Sequence, residues 1–173
     1  MNKMREIRIE KLTLNIGVGE PGEKLDKAMK LLTIITGAKP VKTRSMKRIP
    51  TWGVRPKLDI ACKVTLRGEV AEEVLKKLLV AVDNIIPETK FDDSGNFSFG
   101  IAEYLDIPGI EYNVEIGIIG LEAAVTLSRP GFRVKRRNIR PTKIPKSHKI
   151  KREEAMKFMG EKYGVKFEED EEE

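Results

Sequence analysis

Glutamine is absent from this 173-residue chain, cysteine, tryptophan and histidine occur once each, and aromatic residues make up only 6%. One cysteine, Cys62, excludes an intramolecular disulfide. With a single histidine, His148, the chain lacks the donors of a Cys/His metal site and the nucleophile–base pair of covalent catalysis. Neither a metal nor a cofactor is expected. No apolar run approaches the roughly eighteen residues of a membrane span and no leader pattern is present, so the expectation is a soluble intracellular protein without a membrane partner. The missing glutamine, beside abundant Lys and Glu, matches a bias reported for heat-adapted proteins.

Acid is missing too, but only locally. Between Lys39 and Gly68 nine Lys/Arg face one acid, Asp59; residues 129–152 hold eleven Lys/Arg and no acid, whereas residues 68–128 hold twelve acids against three bases. The formal net charge of +6 therefore understates two basic zones set apart by an acidic body. Like charge gathered in this way points to a polyanionic partner. At this length the chain is expected to be one domain, residues 1–167, including a basic arm at 129–152, followed by an acidic disordered tail at 168–173.

Period-two alternation marks the strands. Residues 7–16 place Leu12, Leu14 and Ile16 on one side and Lys11, Thr13 and Asn15 on the other. Residues 58–67 place Leu58, Ile60, Cys62, Val64 and Leu66 opposite Asp59, Ala61, Lys63, Thr65 and Arg67. Further strands are expected at Val41–Ser45, in the stretch 91–101 after a turn at Ser94–Asn96, at 113–119, and at 121–128, where Glu122, Ala124, Thr126 and Ser128 point outward. Helical spacing predicts a helix over 23–36 (Leu25, Ala28, Met29, Leu32, Ile35) ended by Gly37, and another over 69–86 (Val70, Val74, Leu75, Leu78, Val82, Ile85). A short helix at 153–163 follows the arm. The fold class is α+β: an antiparallel sheet of about five strands with helices packed on one face.

The outward residues Lys11, Thr13, Asn15, Lys63, Thr65 and Arg67 carry bases, hydroxyls and an amide but no acid. Arg and Lys meet phosphates, while Thr, Asn and Ser bond 2′-hydroxyls and base edges, so this face suits RNA; an ordinary solvated face is the alternative. Residues 46–56, broken by Pro50, Gly53 and Pro56, read as a long basic loop with Trp52 at its middle, either offered for base stacking or folded back as an anchor. Gly17-x-Gly19-x-x-Gly22 has the literal spacing of a dinucleotide fingerprint, but Glu20 and Glu23 stand where a pyrophosphate would lie. A nucleotide-dependent enzyme is kept as the alternative function.

The motifs LNIGVGE at 14–20, TGAKPVKTR at 36–44, ACKVTLRG at 61–68, GNFSFGI at 95–101 and SRPGFRV at 128–134 resemble, in combination, the large-subunit ribosomal protein family that binds 5S rRNA, the L-five family, in its archaeal form. The resemblance spans Ile9 to about Gly164. It implies a structural, non-enzymatic protein of the cytoplasmic ribosome whose open sheet face meets 5S rRNA, with Asn15, Thr65 and Arg67 at rRNA-contacting positions and Ser98 added within GNFSFGI. It also implies a loop reaching P-site tRNA, carried here by Arg44, Met46, Lys47, Arg48, Thr51, Trp52, Gly53, Arg55 and Lys57. Arg129, Arg133, Lys135, Arg136, Arg137 and Arg140 of the arm are assigned to rRNA by charge. Further expected partners are large-subunit rRNA and the neighbouring ribosomal proteins of the central protuberance.

Overall fold

Strand β1, Arg8–Gly17, lies at the centre of the computed structural model, which describes residues 2–168. Its alternation is realised: Leu12 and Leu14 are fully buried and Ile16 nearly so, while Lys11, Thr13 and Asn15 between them stay partly open. β1 pairs antiparallel on both sides, with β3 (Asp59–Leu66) and β6 (Leu121–Ser128). β2 (Val41–Arg44) extends the sheet beyond β3, and β5 (Phe97–Ile101) beyond β6, giving the order β2-β3-β1-β6-β5.

Two helices cover one face. α1 (Glu23–Thr36) packs on β3, and α2 (Gly68–Val80) on β1. In α1, Glu23 and Asp26 lie in the first turn, where carboxylates complement the helix dipole. Gly37 ends the helix at φ 65, its N–H bonding the Thr33 carbonyl at 2.8 Å, a left-handed cap that glycine adopts without penalty. α1 buries Leu25, Ala28, Leu31 and Leu32; Met29 and Ile35 pack at the margin. Cys62 is completely buried among these side chains.

α2 departs from expectation at both ends. Val70 is 49% exposed and Ala71 takes the inward position, while the helix stops at Val80 rather than running to residue 86. Asp83 and Asn84 turn the chain with φ of 54 and 57, a conformation that their short polar side chains tolerate. The next residues form β4 (Ile85–Pro87), which pairs in parallel with β7 (Lys166–Glu168) and buries Ile86 completely. The expected acidic tail from 168 begins inside β7; residues 169–173 lie outside the described residues.

The strand expected at 113–119 is instead an irregular turn. The Asn113 side chain accepts from the Glu115 N–H, its carbonyl accepts from Ile116 and Gly117, and Gly117 adopts φ 75. This wraps the chain locally, so only Ile116 is buried, while Val114 is 83% exposed. The helix α4 (Arg152–Tyr163) buries Ala155 and Met159, and Lys162 joins it to Glu72 of α2 through both carboxylate oxygens, at 3.1 and 3.0 Å.

Candidate nucleic-acid interface

Because β1 and β3 are antiparallel and in register, their outward residues meet as cross-strand pairs. Thr13 lies opposite Thr65 and Asn15 opposite Lys63; across the other edge of β1, Lys11 faces Thr126 and Thr13 faces Ala124, which in turn faces Ser98 of β5. Lys63, Thr65, Arg67 and Ser98 are exposed, and all of these side chains stand on the side away from α1 and α2. The six outward residues read from the alternation, with Ser98, are thus brought together on one open surface. Thr126 joins them; its signal was the same alternation within β6.

The surface is not free of acid. Glu122 stands outward on β6 and accepts a 3.3 Å hydrogen bond from the Asn15 amide. Glu10, at the bulge of β1, is largely covered: Arg136 binds its carboxylate directly, and Arg67 lies 3.8 Å from the same oxygen while donating to the Glu10 carbonyl at 3.4 Å. Arg67 remains 59% exposed in its side chain. The corrected picture is a basic and hydroxyl-rich face that carries Glu122 opposite Asn15, holds Glu10 neutralised within it, and has Asp59, farther along β3, paired with Arg44.

The two projections leave opposite ends of β1. Ser128 pairs with Arg8 and leads into the arm, whereas the β2–β3 hairpin opens beyond Gly17, which pairs with Ala61. Nine residue steps of extended chain separate these ends by about 30 Å. The hairpin tip is ordered rather than a bare loop. Ile49 and Val54 exchange backbone hydrogen bonds of 2.9 and 3.1 Å around a 3-10 turn at Pro50–Trp52, with Gly53 at φ 66. Ser45 is buried and its hydroxyl donates to the Lys47 carbonyl at 2.7 Å. Trp52 does not fold back as an anchor: it is 74% exposed, beside Met46 at 90%. Thr51, Lys47, Arg48, Arg55 and Lys57 are exposed as well. Arg44 is partly neutralised by Asp59, at 3.1 Å.

The arm departs from the extended segment expected of it. Its first residue, Arg129, is 4% exposed and faces inward, donating to the carbonyls of His148 and Lys149 at 3.4 and 3.2 Å and to Glu154 at 3.0 Å. A His148 ring nitrogen lies 2.9 Å from the Pro130 carbonyl, and the ring meets Phe132 edge-on. Ile150 is buried in the core. Between these anchors runs a short helix α3 (Arg133–Arg136) and a loop held by a 3.1 Å hydrogen bond from the Thr142 N–H to the Val134 carbonyl. Arg129 therefore clamps the start of the arm to its end and to α4, and its buried guanidinium is not open to a phosphate. Arg133, Lys135, Arg136, Arg137 and Arg140 are exposed; Arg137 also donates to the Arg140 carbonyl at 2.8 Å. Ser128, expected outward, is buried where the chain enters the arm.

The glycine-rich turn follows β1 and precedes α1, but β1 has antiparallel neighbours on both sides, so the parallel strand–helix–strand unit that a dinucleotide site needs is not built. Glu20 is tied to Lys24 at 2.9 Å, which holds its carboxyl below the usual range through that hydrogen bond and charge. Among the described residues no group of acids, histidines and cysteine could hold a metal ion, and no helix is long and apolar enough to cross a membrane.

Two family models match the chain: one described as ribosomal protein L5, over residues 2–55, and one described as the C-terminus of the same ribosomal family, over residues 59–158. The chain is 57% identical over 163 residues to a large ribosomal subunit protein uL5 of Nanoarchaeum equitans, covering 94% of this chain and 96% of that protein. It is 52% identical to the protein of the same name from Sulfurisphaera tokodaii over 166 residues, 95% and 94% of the two chains. With that of Methanosphaera stadtmanae the identity is 46% over 168 residues, 97% and 100%.

Proposed function

The chain belongs to the ribosomal protein L5 family and is a constituent of the large subunit of the cytoplasmic ribosome, and from that premise we propose that its open sheet face binds 5S rRNA and helps attach it to the central protuberance. The observation that carries this reading is the convergence of Lys11, Thr13, Asn15, Lys63, Thr65, Ser98 and Arg67 on the surface opposite the helices. Cations there meet phosphates, and the hydroxyls and amide reach 2′-hydroxyls and base edges. The hairpin tip, with Trp52 and the exposed cations around it, reaches P-site tRNA. The arm's exposed cations, Arg133, Lys135, Arg136, Arg137 and Arg140, meet rRNA phosphates, and neighbouring ribosomal proteins of the central protuberance adjoin the protein elsewhere. The protein performs no reaction of its own.

Binding of 5S rRNA, titrated at several salt concentrations, tests this. Thr65→Ala with Arg67→Ala should weaken binding roughly tenfold or more, one lost charge-assisted bond and one hydroxyl contact, and lower the salt slope by about one. Unchanged affinity at fixed salt would remove the face from the interface. Trp52→Ala with Arg48→Ala should leave 5S rRNA affinity intact while weakening tRNA contact in assembled subunits; a lost 5S complex would mean that the loop has been misassigned.

A further inference from the structure

A cleft of about 670 Å³ lies between the arm and the sheet, a volume within the range of small-ligand sites. Its lining mixes apolar and polar groups: the half-buried Phe132 and Ile144 with the almost fully buried Leu127 and Ile150, beside Ser94, Asn96, Thr126 and Thr142. Its rim is cationic: Lys135, Lys143, Lys146 and Lys149 line it, and none is paired with a carboxylate among the described residues. The one acid in the lining, Glu10, is already bound by Arg136. Thr126 belongs both to the cleft and to the open face, where it is the register partner of Lys11.

An anion alone would need only the lysines, and an apolar molecule would gain nothing from them. A group with a flat apolar surface on one side and a phosphate on the other satisfies both. We propose that the cleft receives one unstacked nucleotide of the RNA bound on the open face, its base seated against Phe132 and Ile144 and its phosphates on the lysine rim. Splayed bases stacked on aromatic side chains are how proteins read single-stranded RNA segments, and Thr126 provides continuity between the strand on the face and the nucleotide in the cleft. The proposal rests on the RNA-binding reading of the face.

The test uses the full chain in two measurements. In the first, adenosine 5′-monophosphate, ribose 5-phosphate and inorganic phosphate are titrated at constant ionic strength while amide resonances are followed by NMR. Adenosine monophosphate should shift Thr126, Phe132 and Ile144 at roughly tenfold lower concentration than the other two, reflecting one stacked base. In the second, Phe132→Leu, which keeps apolar bulk but loses the ring, and Ile144→Trp, which fills the cleft, are compared with Thr65→Ala/Arg67→Ala for 5S rRNA affinity, melting curves verifying folding. Each cleft variant that folds should bind about five- to tenfold more weakly. If inorganic phosphate or ribose 5-phosphate matches the nucleotide, the cleft is an anion patch and the proposal falls. It also falls if the cleft variants bind normally while the face variant does not, an outcome that leaves the RNA face standing. Should the face variant bind normally, the functional reading fails instead.

Discussion

Arg129→Met removes the guanidinium that ties the start of the arm to its end and to α4 while keeping most of the stem's volume. The side chain is 5% exposed, so its bonds to the His148 and Lys149 carbonyls and to Glu154 are made largely out of water. Charge-assisted bonds in such a setting contribute about 1.5–3 kcal/mol each. The sum is reduced in two ways. Nε is buried without a partner, and removing a buried cation relieves its desolvation. The carbonyl acceptors belong to residues that are themselves partly exposed and regain water. A net loss of about 2–3 kcal/mol follows. Urea unfolding followed by circular dichroism should show a lower midpoint at unchanged slope, and thermal melting a fall of about 4–12 °C. The salt slope of RNA binding should stay as it is, because Arg129 offers no exposed donor to a phosphate. An unchanged or raised midpoint would refute the clamp, and a slope reduced by about one would show Arg129 on the RNA after all.

Gly95→Ala should cost about 2–4 kcal/mol, since the residue sits at φ 76 and its new Cβ would lie 2.6 Å from Ile150 Cγ2, in a site where Ile150 and Ala155 are buried and cannot swing aside; unfolding by denaturant measures it. Glu154 is held below its ordinary value of 4.5, first by the Lys151 backbone N–H and then by Arg129. Its contribution is therefore complete above that value and is lost as pH falls through the lowered one, so Glu154→Gln should flatten the acid limb of the stability–pH curve; an identical limb would contradict the assignment. Burial pushes the Cys62 thiol up to about 11, with Lys42 opposing. A thiol reagent at pH 8 should leave the native protein unlabelled and label it stoichiometrically in denaturant; fast native labelling would contradict the burial.

The strands were legible because the pleat has a period of two, so a pattern of types along β1, β3 and β6 states directly which side faces the core. The composite face was legible for the same reason, once Lys11, Thr13 and Asn15 were set beside Lys63, Thr65 and Arg67. The end of α2 was not. Val82 and Ile85 continue its helical spacing, yet the left-handed Asp83 and Asn84 turn the chain so that Ile85–Pro87 can pair with a strand some eighty positions away. Residues 113–119 look like a strand by composition, and lose it to an asparagine turn and a left-handed glycine.

By itself the sequence determined the alternations, the helix stop at Gly37, the zoning of charge and the identity of the residues that line the open face, because each depends on neighbours a few positions apart. Only the tertiary structure decided that Arg129 turns inward to Glu154, that Glu10 is neutralised from the arm, and that a lysine-rimmed cleft opens beside Thr126. Those outcomes depend on segments far apart in the chain meeting at one place, where burial converts a surface cation into an internal clamp, and no local pattern encodes such a meeting.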